Sequence, residues 1–453
     1  MTDAGTRFRH WIDSPVDLAS PPRRVVVRGW CYARTGAVDA VRARCGWRIH
    51  PGHYGLGRQD VHDAFPEPGA ERSGFEIAVR LPALATTCEL QARCEDGAWH
   101  TFAELPFAAP PAEGLRDALR RARFWRLAWT GDPRAWDLVP ADEQEYLVSR
   151  MTCRDWLTIA RFEQHPPRPL APVRLPSPRA PAARLPAFAI VTPSFNQAAF
   201  LRQAVDSVLS QPGVRVSYAI QDGGSTDGSA DILRELAARP PAAPDARLAH
   251  WESAPDEGQA DAILRGFAHL QGGPEDVMAY LNSDDRYVPG AFAHVAGFFA
   301  RHPEVDVVYG HRILIDESDR EIGRWITPRR RCDDLRIFDM VPQETLFWRR
   351  RIWDRVGGID RSLHFALDWD LLQRFEQAGA RFARLPRFLG MFRWHGGQKT
   401  RTAMERSGVP EMERLRERAM GRPVPDEEFR SKMRHVQFDS ALVNALLKIG
   451  LRV

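Results

Sequence analysis

The sequence predicts an α/β protein: a Rossmann-like, mostly parallel sheet flanked by helices, preceded by a small β-sandwich and a helical, proline-rich connection. Three observations predict it. First, three apolar segments each end abruptly in polar loop residues: Phe188-Ala-Ile-Val-Thr-Pro-Ser-Phe-Asn196, the segment running into Gln221-Asp-Gly-Gly-Ser-Thr-Asp-Gly-Ser229, and the segment ending Tyr280-Leu-Asn-Ser-Asp-Asp285. Second, Phe200, Leu201, Ala204, Val205, Val208 and Leu209 recur at helical spacing between the first two. Strands alternating with helices form parallel sheets, which bind ligands at the carboxyl ends of their strands. Third, the first 108 residues contain short, partly alternating segments separated by turn residues.

Residues 1–108 thus read as a β-sandwich, with strands at Val25–Trp30, Val38–Arg44, Phe75–Leu81 and Cys88–Cys94. Turns are expected at Pro51-Gly52, Pro66–Gly69 and Glu95–Gly97. Residues 109–164 read as a helical bridge. Its apolar stripe of Leu115, Leu119, Ala122, Trp125, Leu127 and Trp129 is flanked by arginines. Packing on neighbouring elements is the preferred role, and peripheral contact with a membrane surface is the other. Residues 165–187 hold eight prolines and read as an extended, semi-rigid linker. Residues 188–400 form the α/β domain and 401–453 a charged helical tail.

The chain of 453 residues is long enough for two or three domains. Its 63 basic and 59 acidic residues give a net charge of +4, which argues against a nucleic-acid partner. No apolar run approaches the ~20 residues of a membrane span, and the amino terminus has no apolar signal segment. The cysteines at 31, 45, 88, 94, 153 and 332 have no C-x-x-C spacing. The expectation is a soluble, reduced, cytoplasmic protein, with peripheral association at the inner membrane face and homo-oligomerisation left open.

Asp222 opens a glycine-rich loop, where a carboxylate can accept hydrogen bonds from a base or ribose, while Asp227 suits a helix cap. The spacing is not G-x-G-x-x-G, which disfavours a dinucleotide-binding dehydrogenase. Asp284 and Asp285 follow a buried strand, where two adjacent carboxylates are costly unless neutralised. A hard divalent cation on a diphosphate would neutralise them; a solvated turn is the plainer alternative.

These segments together resemble family 2 glycosyltransferases of the A-type fold. The resemblance covers residues 187 to about 400. It implies a metal-dependent, inverting transfer from a nucleotide-diphosphate sugar, with a UDP-sugar expected, to a hydroxyl of a carbohydrate or glycolipid acceptor. It places Thr192, Pro193 and Asp222 at the nucleotide, Asp284 at the ribose or donor sugar, and Asp285 on Mn²⁺ or Mg²⁺. In Asp256-Glu-Gly-Gln259 it turns Asp256 and Gln259 toward the nucleotide. Gln343 borders the donor, with Glu344 in reserve. In Phe392-Arg-Trp-His-Gly-Gly-Gln-Lys399 it lets Arg393 and Lys399 cover the diphosphate and gives His395 a metal or phosphate contact. Asp368 of Leu367-Asp-Trp-Asp-Leu-Leu-Gln-Arg374 stands at the position of the base that deprotonates the acceptor, although Asp368 and Asp370 also suit helix capping. Segments Gly29-Trp30, Gly55–Val61 and Ser73–Phe75 resemble a small β domain sometimes joined to such enzymes. Leu264 and Leu367 depart from the family pattern, so a carbohydrate-binding or scaffold protein with a degenerate site is the alternative. Tryptophans 325, 348, 353, 369 and 394 are candidates for sugar stacking, with core packing the commoner fate.

Overall fold

The computed structural model describes the chain except residues 1–6, 16, 17, 19, 20, 83–86, 111–113, 131–133, 154–156, 179–183, 240–242, 330–333 and 452–453. Cys332, Arg179 and Pro181 lie outside the described residues. The chain divides into two compact units, residues 1–157 with 430–449, and residues 158–429 with 450–453.

The first unit is built on seven antiparallel strands: β1 (Phe8–Ser14), β2 (Arg24–Ala33), β3 (Val38–Cys45), β4 (Arg48–Leu56), β5 (Gly74–Arg80), β6 (Thr87–Cys94) and β7 (Trp99–Pro106). Their order is β1-β2-β5-β4-β3-β6-β7. The expected all-β domain is therefore present, but as one continuous sheet curled almost into a barrel. The edge strands approach each other, with Phe8 and Phe102 rings 6.2 Å apart. Inward residues such as Val27, Val41, Ile77 and Leu90 fill its core, as period-two alternation requires. Gly29 faces Ile12 of β1, and a Cβ there would lie 2.1 Å from the Trp11 carbonyl oxygen, so the first pairing requires glycine.

Pro51-Gly52 is not a turn. It lies inside β4, where the strand changes partner: Arg48–Pro51 pair with β3, and Gly52–Leu56 with β5. The reduced-cysteine expectation is also corrected, since Cys45 and Cys88 form a disulfide. Spacing rules see only local motifs, whereas adjacent register on β3 and β6 brings these two together.

Among its described side chains the helix Leu115–Trp129 buries Phe124 and Ala128, whereas Ala122 and Trp129 of the expected stripe are exposed. Phe124 packs on Phe438, and Trp136 meets the same ring at 5.0 Å. Leu119 and Trp125 stay exposed. The Arg430–Ile449 part of the tail thus belongs to the amino-terminal unit.

The second unit holds β8 (Phe188–Ser194), β9 (Val216–Asp222), β10 (Ala246–Ser253), β11 (Val277–Tyr280), β12 (Arg286–Tyr287), β13 (Val307–Ile315), β14 (Glu321–Trp325), β15 (Phe347–Arg349) and β16 (Phe382–Arg393). The order is β10-β9-β8-β11-β15-β13-β16-β12, with β14 on β13. Strands β10, β9, β8 and β11 are parallel, β15 is antiparallel to both neighbours, and β13 runs parallel to β16. The helix Ala198–Leu209 buries Leu201, Ala204, Val205 and Val208 against this sheet, as its periodicity predicts. Phe188 and Phe292 stack at 4.6 Å in the core.

The described part of the proline-rich segment does not hang free. Leu170, Val173 and Leu175 pack on the core of the second unit. Arg168 bridges to β14, its backbone exchanging hydrogen bonds with Glu321 and its guanidinium meeting the carboxylate at 2.6 Å. Prolines hold the segment extended, and the apolar residues between them anchor it.

Candidate active site

The polar ends of β8, β9 and β11 converge on a cavity of about 740 Å³. Pro193 and Ser194 from β8, Gly223 after β9, and Asn282 to Asp285 after β11 line it. Gln259, Asp339 to Glu344, Asp368 and Lys399 complete the wall. This is the crevice that a parallel sheet offers at its carboxyl edge.

A chain of side-chain hydrogen bonds crosses it. Lys399 Nζ donates to Gln259 Oε1 at 2.9 Å, and Gln259 Nε2 donates to Asn282 Oδ1 at 2.7 Å. Asn282 Nδ2 then donates to Gln343 Oε1 at 3.3 Å, and Gln343 Nε2 donates to the Tyr280 carbonyl at 2.7 Å. Each amide is thereby fixed in one orientation. The Lys399 ammonium is pushed below its ordinary value by desolvation, against the pull of Asp368 and Glu411.

Asp284 and Asp285 occupy opposite situations. Asp284 Oδ2 lies 3.0 Å from His395 Nε2. Asp285 is 1% exposed and accepts the Arg393 backbone N–H at 3.0 Å. Burial, then the charges of Asp284 and Glu344, push its carboxyl well above the usual range. Among the described residues no group of three or more His, Cys, Asp or Glu is arranged to hold a metal ion. Two adjacent carboxylates are fewer than a protein-only metal site needs, and Mg²⁺ is commonly held by one or two carboxylates together with the phosphates of its substrate.

Several expected contacts are corrected. Thr192 is fully buried and accepts the Tyr218 hydroxyl at 2.7 Å, so it does not line the cavity. Thr192 lies in the core, and β8 reaches the opening only at its last two residues, Pro193 and Ser194. Asp222 is fully buried too. It accepts from the Ser225 N–H and hydroxyl and from the Ser253 hydroxyl, at 2.9, 2.6 and 2.7 Å. It fastens the loop, and Asp256 is the carboxylate in the opening beside Gly223. Burial raises the Asp256 carboxyl, against the Gly258 N–H that it accepts at 2.9 Å. Asp227 is structural as expected, accepting from the N–H groups of Ala198 and Ser229.

Arg393 is not available to a diphosphate. Its guanidinium donates to the Asp284 and Asp316 carbonyls and to Asp319, and packs 4.7 Å from the Phe200 ring. His395 is buried and engaged by Asp284, behind the cavity wall. Lys399 is the cation of that loop that reaches the opening.

Asp368 stands in the first turn of the helix Leu367–Gln377 and lines the cavity. Its Oδ1 accepts the Trp369 N–H at 2.9 Å. Burial raises its carboxyl above the ordinary value, with Trp369 N–H, Arg312 and Lys399 pulling the other way. Asp370 points elsewhere, bound by Arg374 and Arg418.

Sequence reading missed Asp339 and Arg312, both on the cavity wall. Asp339 stands open to solvent on the cavity wall. Desolvation, then the charge of Asp368, pushes its carboxyl well above the usual range. Arg312 grips Glu344 through two hydrogen bonds of 2.8 and 2.7 Å, and Phe392 lies 4.3 Å from its guanidinium. Glu344 is thus spent on Arg312, and Gln343 takes the position that faces the opening. No short motif marks either residue. Of the tryptophans, Trp325 lines the cavity; Trp348, Trp353 and Trp369 are core, and Trp394 stacks on Phe162 at 4.4 Å. Leu264 packs beside Gly358, and Leu367 is buried at the wall.

Residues 189–355 match the family model described as glycosyl transferase family 2. A PGL/p-HBAD biosynthesis glycosyltransferase of Mycobacterium bovis is 29% identical over 186 residues, covering 41% of this chain and 68% of that protein. The O-antigen biosynthesis protein RfbC of Myxococcus xanthus is 30% identical over 212 residues, covering 46% of this chain and 16% of the relative. A solved mannosyltransferase of Pyrobaculum calidifontis, in complex with GDP-Man and Mn²⁺, covers 74% of this chain and 84% of its own at 15% identity and a TM-score of 0.41.

Proposed function

The chain carries a family 2 glycosyltransferase domain over residues 189–355, and from that premise we propose an inverting sugar transfer from a nucleotide-diphosphate sugar, with UDP-sugar the first donor to test, to a hydroxyl of a cell-surface polysaccharide or glycolipid. The observation that carries the reading is the single cavity shared by Asp256, Gln259, Asp284, Asp285, Gln343, Asp368 and Lys399. These residues come from distant parts of the chain, and each has a task in the reaction. Asp256 and Gln259 hold the nucleotide. Lys399 faces the diphosphate. Asp284 and Asp285 would hold Mn²⁺ or Mg²⁺, which when bound stabilises charge on the departing diphosphate.

Asp368 is the proposed base. The acceptor hydroxyl gives its proton to the carboxylate as its oxygen bonds to the anomeric carbon, and the bond from that carbon to the diphosphate oxygen breaks. The relatives named above support the acceptor class: one is named for PGL/p-HBAD biosynthesis, the other for O-antigen biosynthesis.

The deciding experiment is nucleoside diphosphate release from a panel of nucleotide sugars with Mn²⁺, with and without EDTA. Chelator-sensitive release supports the reading. A purified, folded protein that releases diphosphate from no donor, yet binds glycans, would favour a degenerate binding protein.

A further inference from the structure

The helix that carries Asp368 is fixed at its entry by a residue outside the cavity. The helix Leu367–Gln377 has no side-chain cap of its own, since its N-cap residue is Ala366. The turn before it presents three N–H groups in a row, and Glu411 of the helix Val409–Met420 takes all three. Its Oε1 accepts the His364 N–H at 2.9 Å, and its Oε2 accepts those of Phe365 and Ala366 at 2.8 and 3.0 Å. Glu411 is 4% exposed and is not among the residues lining the cavity. Burial alone would raise its carboxyl. The N–H groups of Ala366, His364 and Phe365 carry it below the ordinary value instead, so it is ionised at neutral pH.

From there the constraint passes to the base. Asp368 Oδ1 accepts the Trp369 N–H at 2.9 Å, so the carboxylate takes its direction from the first turn of the helix. That turn starts where Glu411 holds it. The helix Val409–Met420 reaches the same region at two more points. Arg418 donates to Asp370 Oδ1 at 2.6 Å and to Gln373 Oε1 at 3.2 Å. Arg416 Nε donates at 3.0 Å to the carbonyl of Ile337, two residues before Asp339. Gly408 leaves room for the Phe365 ring, which a Cβ there would meet at 2.9 Å. Hydrogen bonds from N–H groups to an ionised carboxylate are shorter and stronger than neutral ones, so this is a stiff tie.

We propose that Glu411 is the positioning residue of the base: through the backbone of residues 364–366 it sets the direction in which the Asp368 carboxylate meets the acceptor hydroxyl. The inference rests on the transfer reading above and on Asp368 as its base. A misplacement of ~1 Å at a reacting group costs about 10²-fold in rate, which is the scale expected when the tie is cut.

The test uses the full chain and nucleoside diphosphate release into water with Mn²⁺. The donor is whichever of UDP-glucose, UDP-galactose, UDP-N-acetylglucosamine and GDP-mannose the wild type turns over fastest. Glu411→Ala should lower kcat about 10²-fold, while donor affinity by calorimetry stays at the wild-type value. Glu411→Gln keeps an oxygen for the Phe365 and Ala366 N–H groups and should retain most of the rate. Glu411→Asp, one methylene shorter, should fall between the two, and it carries the test if the alanine variant does not fold. In an Asp368→Asn background, Glu411→Ala should lower the residual rate no further, because its whole effect runs through that carboxylate. A tie that only stabilises the fold would lower the melting temperature and leave kcat of the folded protein alone, or would cost the same with and without Asp368. Either result overturns the proposal, as does a fall in donor affinity that matches the fall in kcat. A wild type that releases diphosphate from none of these donors defeats the transfer reading and this inference with it. An active wild type indifferent to Glu411 defeats this role alone.

Discussion

Lys399 and Gln259, 140 residues apart, meet across the candidate active site with Lys399 Nζ donating to Gln259 Oε1 at 2.9 Å. The contact ties the loop after β16 to the helix entry after β10, over the place where a diphosphate would lie. It also holds the ammonium ready, so that little ordering remains when an anion arrives.

Lys399→Ala should therefore weaken donor binding by about tenfold or more, since hydrogen bonds to charged groups contribute ~1.5–3 kcal/mol. Gln259→Ala should have a smaller effect in the same direction, because it removes the orienting partner and leaves the cation. Titration calorimetry with the donor and Mn²⁺ measures both. Donor affinity untouched by Lys399→Ala would remove the cation from the diphosphate.

Asp339 and Asp368 supply a pH dependence. Both carboxyls are raised, Asp339 by desolvation and then by Asp368, and Asp368 by desolvation. Transfer should rise with pH as Asp368 loses its proton, along a limb above the ordinary carboxylate range. Asp339→Asn removes a neighbouring negative charge and should move that limb to lower pH. The stability effect has a definite sign. A folded state with raised carboxyl pKa values binds more protons than the unfolded chain, so stability falls as pH rises from about 4 through the folded values. Asp339→Asn should flatten that fall only a little, since the Asp339 side chain is open to solvent. A pH–rate profile and melting curves at pH 5 and pH 8 check the two parts; an unmoved limb would separate Asp339 from the base.

Of the two carboxylates that the sequence reading turns toward the nucleotide, Asp256 stands in the opening and Asp222 is held within its loop. Asp222 accepts three hydrogen bonds within its own loop. Asp222→Ala leaves those buried donors unpaired and should cost about 1–3 kcal/mol each at most, seen as a lower melting temperature. Asp256→Asn should instead lower nucleotide affinity with little change in melting. If Asp222→Ala melts normally and loses nucleotide selectively, the assignment reverts to Asp222.

The strand ends were legible because an apolar run stopping at a carboxylate is a local signal. Which carboxylate faces the opening was not, because that depends on loop conformation: Asp222 and Asp256 differ in where Ser225, Ser253 and Gly258 place their donors. Thr192 and Pro193 are adjacent, yet one lies in the core and the other at the opening, where the strand ends. Arg393 carries the right charge, but Asp284 and the turn holding Asp316 and Asp319, two other places in the chain, consume it. Arg312 and Asp339 left no trace in spacing, since their meaning comes from Glu344 and Asp368 respectively. The β4 partner change was hidden because Pro51-Gly52 reads locally as a turn.

The electrostatic core of the site gives a direct test. Asp285→Ala removes the buried carboxylate that accompanies Asp284, and transfer should drop by ~10²-fold or more, the scale of losing one aligned electrostatic group. The Arg393 backbone N–H would lose its carboxylate acceptor while the guanidinium keeps its partners, so the fold should persist by circular dichroism. Near-normal turnover in Asp285→Ala, with chelator controls, would sink the cation assignment.

The proline-rich segment sets where the catalytic unit can be cut. Leu170, Val173 and Leu175 cover its core, and Arg168 is paired with Glu321 on β14. Removing three half-buried apolar side chains uncovers surface worth about 25 cal/mol per Å², and Glu321 loses one of its two arginine partners, keeping Arg324. The tail has a different allegiance, because Phe438 packs on Phe124 and Trp136 of the amino-terminal unit. A protein comprising residues 158–429 should therefore fold and bind donor with near wild-type affinity, all the cavity residues being retained. One starting at residue 180 should melt several degrees lower, although it keeps every cavity residue except Phe162. Paired melting curves and donor calorimetry on the two decide the point. Equal melting temperatures would mean that the segment rests on the domain without stabilising it, and loss of donor binding in a folded 158–429 protein would show that the amino-terminal unit is needed for the donor site.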